Sequence, residues 1–175
     1  MRRVILWAPL AVFLIFAILL ATGLLKPSDQ AIRSKLVGKP VPEFVLPAGV
    51  EGRPGLSSAD MKGGEPRMLN IFASWCIPCM AEAPQLAELE RRGIPIDAIA
   101  IRDRPEDIAA FLERWGDPFQ RIGSDRNSSV QLALGSSGVP ETFIIDGQGI
   151  IRHQHLGEIR PEHLPELVRA FEAAR

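Results

Sequence analysis

The chain has 175 residues, with 20 Lys and Arg against 21 Asp and Glu and a formal net charge of −1. No basic stripe or basic excess is present, which argues against a nucleic-acid partner. Only two cysteines occur, Cys76 and Cys79, so a disulfide-stapled scaffold with bridges spread along the chain is excluded.

The first element is apolar. After Arg2 and Arg3, the run from Val4 to Leu25 is uncharged. At about 1.5 Å per helical residue, its roughly 22 residues reach about 33 Å, enough to cross a bilayer core. Trp7 stands where an interfacial aromatic belongs, and the two arginines favour a cytoplasmic N-terminus. Residues 1–25 therefore predict a membrane anchor with the remainder exported. A cleaved signal peptide is the competing reading, with Ala21-Thr22-Gly23 as cleavage site, although the run continues past it and exceeds a usual h-region.

Residues 26–39 are polar and contain Pro and Gly, the composition of a tether. A single domain is expected over 40–175. It opens on "VPEFVLP", an apolar piece bracketed by prolines and expected as an edge strand. Ser57-Ser58-Ala59-Asp60 can cap a short helix. "RMLNIFAS" has the length and composition of a strand buried on both faces, and a helical period runs from Cys79 to Arg92. "IPIDAIAIR" is a second strand. "PEDIAAFLERWG" is a helix that begins on Pro105 and ends at Gly116, with Phe111 and Trp115 as core residues. "PFQRIGSD" is a weaker strand and "RNSSVQLALG" a short helix. "TFIIDGQGIIRHQHLG" is a hairpin around Asp146-Gly147-Gln148-Gly149, and an amphipathic helix closes the chain. Strands alternating with crossover helices predict a parallel sheet covered on both faces, with the hairpin adding antiparallel strands.

Cys76 falls where the buried strand ends and the helix begins. Free N–H groups and the partial positive charge of a helix N-terminus stabilise a thiolate there, the species that attacks disulfides. Cys79 lies one turn further in, where it can resolve the mixed disulfide. It is expected to be the more buried sulfur. A CxxC bridge closes so short a loop that it restrains little of the unfolded chain, which suits a pair made to open and close. Pro78 stiffens the turn and Trp75 shields one side.

"WCIPC" behind an apolar strand, Pro84 after the second Cys, and Gly138-Val139-Pro140 before a later strand together resemble the thioredoxin fold. "GKPVPEFVLP", "NIFASWCIPCMAEAP", "GVPETFIID" and "IIRHQHLGEI" narrow the resemblance to the membrane-anchored thiol:disulfide oxidoreductases of cytochrome c maturation, the CcmG/DsbE type. That resemblance implies a thioredoxin-like α/β domain with a central mixed sheet and helices on both faces, and a redox-active Cys76–Cys79 disulfide. It implies a cis bond at Val139-Pro140, with Trp75, Val139 and Pro140 meeting the client. It implies a single-pass protein of the inner membrane with its catalytic domain in the periplasm, and no cofactor. Its partners would be apocytochrome c or a partner dithiol protein, and a membrane electron donor of the DsbD or CcdA kind. Thioredoxins carry a buried Asp six residues before the first Cys; here that position is Asn70. The resemblance instead offers Glu82 and Glu141 as catalytic carboxylates, able to take the proton that Cys79 gives up.

Plainer readings stand beside these. The cysteines also fit half a zinc site or a passive bridge, and zinc needs four ligands. His153 and His155 are a weak metal pair or an exposed strand face. Glu82 can be a solvated acid of the first helical turn, Pro140 an ordinary turn proline and Pro84 a tolerated kink. A broader reductase of the TlpA or ResA kind, or a copper carrier using Cys76 and Cys79 as soft ligands, would share the same local sequence.

Overall fold

The computed structural model describes Trp7, residues 12–18, Leu20 and residues 34–175. The chain divides into two compact units, Met1–Ala31 and Ile32–Arg175. In the first, Trp7, residues 12–18 and Leu20 are helical. The span expected over Val4–Leu25 lies largely outside the described residues. Among those described, no helix is long and apolar enough to cross a membrane.

The second unit is built on a five-stranded mixed sheet. β3 (Arg67–Phe72), β4 (Ile96–Ile101), β5 (Ile122–Asp125), β6 (Glu141–Ile145) and β7 (Ile151–Leu156) lie in the order β5-β4-β3-β6-β7. The β3–β4 and β4–β5 pairs are parallel, whereas β6 runs antiparallel to both β3 and β7. Every residue of β4 is buried. Successive strand residues point to opposite faces, so both faces of the sheet are covered there. The parallel pairs take helical crossovers, α1 (Ile77–Arg91) between β3 and β4 and α2 (Pro105–Trp115) between β4 and β5. α3 (Ser129–Ala133) and α4 (Leu164–Ala173) complete the helices. α2 turns Ile108, Phe111 and Leu112 inward, and α4 does the same with Leu167 and Phe171. Phe72 on β3 packs 5.3 Å from Phe111 and 5.2 Å from Phe119, ring centre to ring centre.

The edge strand expected in "VPEFVLP" is only β1 (Val45–Leu46), and it pairs with β2 (Leu56–Ser57) in a separate two-stranded sheet. This small sheet leans on β5. A Cβ at Gly123 would come within 2.9 Å of the Leu46 side chain, so the close approach requires glycine. The 3-10 helix Ser58–Lys62 starts as its sequence suggests, with Asp60 accepting from the Ser57 backbone N–H at 2.8 Å.

Three expectations shift. The tether expected over 26–39 is described only from Ser34 onward, and that part is docked rather than free. Ser34 Oγ donates to the Leu134 carbonyl at 2.7 Å, and the Gly38 N–H donates to the Ile151 carbonyl at 2.7 Å. Trp115, expected in the core beside Phe111, is 38% exposed because it occupies the last residue of α2, and the Arg114 guanidinium lies 5.2 Å over its ring. His153 and His155 are half-buried rather than an exposed face. The 3-10 turn Pro161–His163 comes back over β7 and sets the His163 ring 4.6 Å from that of His155.

Candidate active site

The dithiol turn leaves the end of β3 and is fixed before it reaches the cysteines. Asp103, buried just beyond β4, accepts from both the Ser74 backbone N–H and the Ser74 hydroxyl, each at 2.6 Å. Cys76 then takes the N-cap position of α1 with extended backbone, and the Cys79 N–H donates to its sulfur at 3.2 Å. Pro78 lies in the first turn, where a missing N–H costs nothing. The helix begins at Ile77, two residues earlier than its apolar period suggests, so the whole CxxC motif belongs to the capped terminus.

Cys76 and Cys79 form a disulfide, with their Cα atoms 5.3 Å apart. The expected difference in burial is not found in this oxidised form, since the residues are 4% and 2% exposed. What distinguishes them is the N-cap bond, which only the Cys76 sulfur receives. Beside the pair, Trp75 and Ile77 are 54% and 76% exposed, so both offer open apolar surface next to the disulfide.

Glu82 is not a solvated helix acid. It is fully buried one turn beyond Cys79, and with Cys79, Asn70, Phe72, Phe111 and Phe119 it lines one small pocket. Its carboxylate accepts from Asn70 Nδ2 and from the Ile159 backbone N–H, each at 2.9 Å. Burial raises its pKa from 4.5 to about 7; the two hydrogen bonds oppose that rise and the nearby charge of Glu158 adds to it.

Glu141 opens β6 and faces Ile71 across the β3–β6 pair. It is 1% exposed and accepts from Ser136 Oγ at 2.8 Å, from the Ser137 N–H at 3.1 Å and from Gln154 Nε2. Burial raises its pKa, with these donors acting against the rise. The Val139-Pro140 bond is cis. Because Ile71 pairs with Glu141, Val139 and Pro140 arrive at the end of β3 from which the dithiol turn departs. Pro140 is buried and Val139 half-buried.

Sequence reasoning missed three contributors. Asn70 was visible only as the absence of an acid, yet it is a donor to Glu82. Asp103 carries no motif beyond its place after an apolar strand. Ile159 acts through its backbone, which no side-chain pattern reveals. Among the described residues, no group of three or more His, Cys, Asp or Glu side chains is arranged to hold a metal ion.

The redoxin family model matches residues 36–170. The chain is 39% identical over 160 residues to the thiol:disulfide interchange protein DsbE of Pseudomonas aeruginosa, covering 91% of this chain and 87% of that one. To DsbE of Escherichia coli K12 it is 34% identical over 174 residues, covering 97% and 94%. A solved thiol:disulfide interchange protein DsbE from Chlorobium tepidum superposes with a TM-score of 0.66 at 26% identity, over 82% of this chain and 99% of that one. A secreted disulfide oxidoreductase of Mycobacterium tuberculosis shares the fold, with a TM-score of 0.62 at 19% identity over 75% of this chain and 96% of that one. With its CxxC pair at a helix N-terminus of a thioredoxin-like sheet, the chain belongs to the redoxin family and, within it, to the DsbE (CcmG) thiol:disulfide interchange proteins, and it is a thiol:disulfide oxidoreductase.

Proposed function

We propose that this oxidoreductase is a reductant of cytochrome c biogenesis, held in the inner membrane by residues 1–25 with its domain on the periplasmic side. The observation that carries the reductase reading is the pocket shared by Cys79 and Glu82, whose carboxyl group is pushed by burial up to about 7. The DsbE relatives, matched over most of their length, support the choice of pathway. Support for the anchor comes from the helical residues 12–18, where Val12, Phe13, Leu14, Ile15, Phe16 and Ile18 are each more than half exposed. A helix whose residues are apolar all round suits lipid better than water.

In the reduced protein the Cys76 thiolate attacks the client disulfide. A mixed disulfide forms, the client S–S bond breaks, and the leaving client thiolate takes a proton. Cys79 then loses its proton to Glu82 and attacks the Cys76 sulfur. The Cys76–Cys79 bond closes and the second client thiol departs, so two electrons have passed from this dithiol to the client. The client is the CxxCH disulfide of apocytochrome c or that of a partner dithiol protein. It lies against Trp75 and pairs in extended form with the backbone of Val139 beside Pro140. A membrane donor of the DsbD or CcdA kind returns two electrons and two protons.

Trapping tests the reading. A full-length Cys79→Ala chain, expressed in its own cell, is expected to hold apocytochrome c or a dithiol partner as a mixed disulfide through Cys76. Trapped copper-centre or unrelated clients would replace the cytochrome reading with a broader reductase. Alkaline phosphatase fused after Arg175 is expected to be active; an inactive fusion would overturn the topology.

A further inference from the structure

Between β7 and the 3-10 turn, the chain crosses the dithiol site as a short strap, residues 157–160. It touches the site twice. The Gly157 N–H donates to the Pro140 carbonyl at 3.0 Å, and the Ile159 N–H donates to Glu82 at 2.9 Å. Two histidines hold this strap from outside. His155 Nε2 lies 3.3 Å from the Glu158 carbonyl, and the Arg160 N–H donates to His163 Nδ1 at 3.0 Å. The two anchored residues, Glu158 and Arg160, bracket Ile159. The two imidazoles meet each other at 4.6 Å between ring centres.

We infer that His155 and His163 are positioning residues that clamp the strap so that Ile159 keeps its N–H on Glu82, and that the clamp thereby sets the acidity of the dithiol's proton acceptor. The inference rests on the reading of Glu82 as the group that takes the Cys79 proton.

The chemistry of each ring supports the assignment. A carbonyl oxygen only accepts, so His155 must carry a proton on Nε2 to bond Glu158. Arg160 offers an N–H, so His163 must leave Nδ1 bare, a role open to the neutral ring alone. His155 has its own pKa lowered by burial and by the charges of His163 and His153. The neighbouring charges are Glu166, 3.9 Å from His153, and the Glu158–Arg160 ion pair at 2.6 Å, with Glu162 beside Arg160. Around Glu82 itself stand Glu158, Asn70 and Cys79. A donated N–H favours the charged carboxylate, so a strap that shifts enough to lose this one bond while still covering the pocket leaves Glu82 a weaker acid and less ionised near neutral pH.

The test follows the Glu82 carboxyl carbon by NMR in the oxidised full-length chain in detergent, the signal being identified by its loss in Glu82→Gln. His163→Ala is expected to raise the Glu82 midpoint by about one pH unit and to speed exchange of the Ile159 amide about tenfold. His163→Gln is expected to restore both, because a Gln at this third helical position reaches back to the same backbone N–H. His155→Phe keeps the ring contact but removes the donor to Glu158, and is expected to raise the midpoint in the same direction; it also serves if His163→Ala does not fold. An unchanged midpoint in the alanine and phenylalanine variants, or an equal rise in His163→Gln, would overturn the clamp. The pH profile of Cys79 attack on the mixed disulfide separates the two readings. If the midpoint moves and that profile does not, the clamp stands and Glu82 loses its role as proton acceptor.

Discussion

Asn70 and Glu82, one from the central strand and one from the dithiol helix, meet in the core with both side chains wholly buried, and the Asn70 amide donates to the Glu82 carboxylate at 2.9 Å. The same Nδ2 also donates to Thr142 Oγ1 at 3.0 Å, while Asn70 Oδ1 has no hydrogen-bond partner among the described residues. A donor here favours the ionised carboxylate that burial disfavours. An acid at position 70 would reverse that effect.

Asn70→Asp is accordingly expected to put two carboxyl groups in one dry pocket. They cannot both ionise, so the pair holds a proton well above the ordinary carboxylate range. The unfolded chain releases both protons by pH 6, so the folded state binds more protons at high pH and loses stability there. The variant should be destabilised by about 2 kcal/mol at pH 8 and by much less at pH 5. Urea unfolding at the two pH values measures this. Equal losses at both would show that Asn70 serves packing alone.

Glu82 makes a related prediction without a second acid. Its pKa is raised from 4.5 to about 7 by burial, so the folded state keeps a proton that the unfolded state gives up. The stability this contributes is complete below about pH 4.5 and disappears as pH rises through about 7, a loss of roughly 3 kcal/mol. Glu82→Gln should flatten that slope. A glutamine fits because the Asn70 amide can turn its unpartnered oxygen toward the new NH2 group. Burial also raises Asp97 and Glu141, but those contributions are common to both proteins and cancel in the comparison. Parallel stability curves for wild type and variant would remove Glu82 from the titration.

What the sequence disclosed was whatever rests on local chemistry. Cys76 and Cys79 at a strand–helix seam, the capping residues Ser57 and Asp60, and the hairpin that became β6 and β7 each depend on neighbours a few positions away. The two-residue strands β1 and β2 were harder, since no periodicity can be read from Val45-Leu46 alone. Trp115 shares its apolar stripe with Ile108 and Phe111, and only the end of the helix decides that it projects outward. Least legible was the acceptor side of Glu82. Its second donor is the backbone of Ile159, 77 positions away, and backbone donors leave no trace in a residue pattern.

The N-cap bond separates the cysteines where burial does not. In the reduced protein, the N–H that reaches the Cys76 sulfur and the helix terminus behind it both favour the thiolate, while Cys79 lies further into the helix and beside a carboxylate. Iodoacetamide near pH 7 is expected to modify Cys76 on the order of ten times faster than Cys79. Peptide mapping after brief labelling reads the ratio. Faster labelling of Cys79 would exchange the roles of the two sulfurs and require a different trapping variant.

Asp103 should prove as important to that ratio as the helix itself. Its two carboxylate oxygens hold the Ser74 N–H and hydroxyl, and Ser74 is two residues ahead of Cys76. The carboxylate is itself aimed by a constrained turn. Arg102 adopts a left-handed φ of 50°, and its Nε donates to Ser128 Oγ at 3.0 Å. Asp103→Ala removes two charge-assisted hydrogen bonds and leaves the Ser74 N–H without its acceptor, which is expected to destabilise the fold by about 2 kcal/mol. If the turn only needed stability, the alkylation ratio of Cys76 to Cys79 would stay as in wild type below the melting temperature. If Asp103 also holds Cys76 in register with the N-terminus of α1, the ratio falls several-fold while the variant is still folded, and Asp103→Asn, which keeps one acceptor, lies between. The second outcome is expected, because a sulfur displaced from the cap loses the N–H donor that distinguishes it from Cys79.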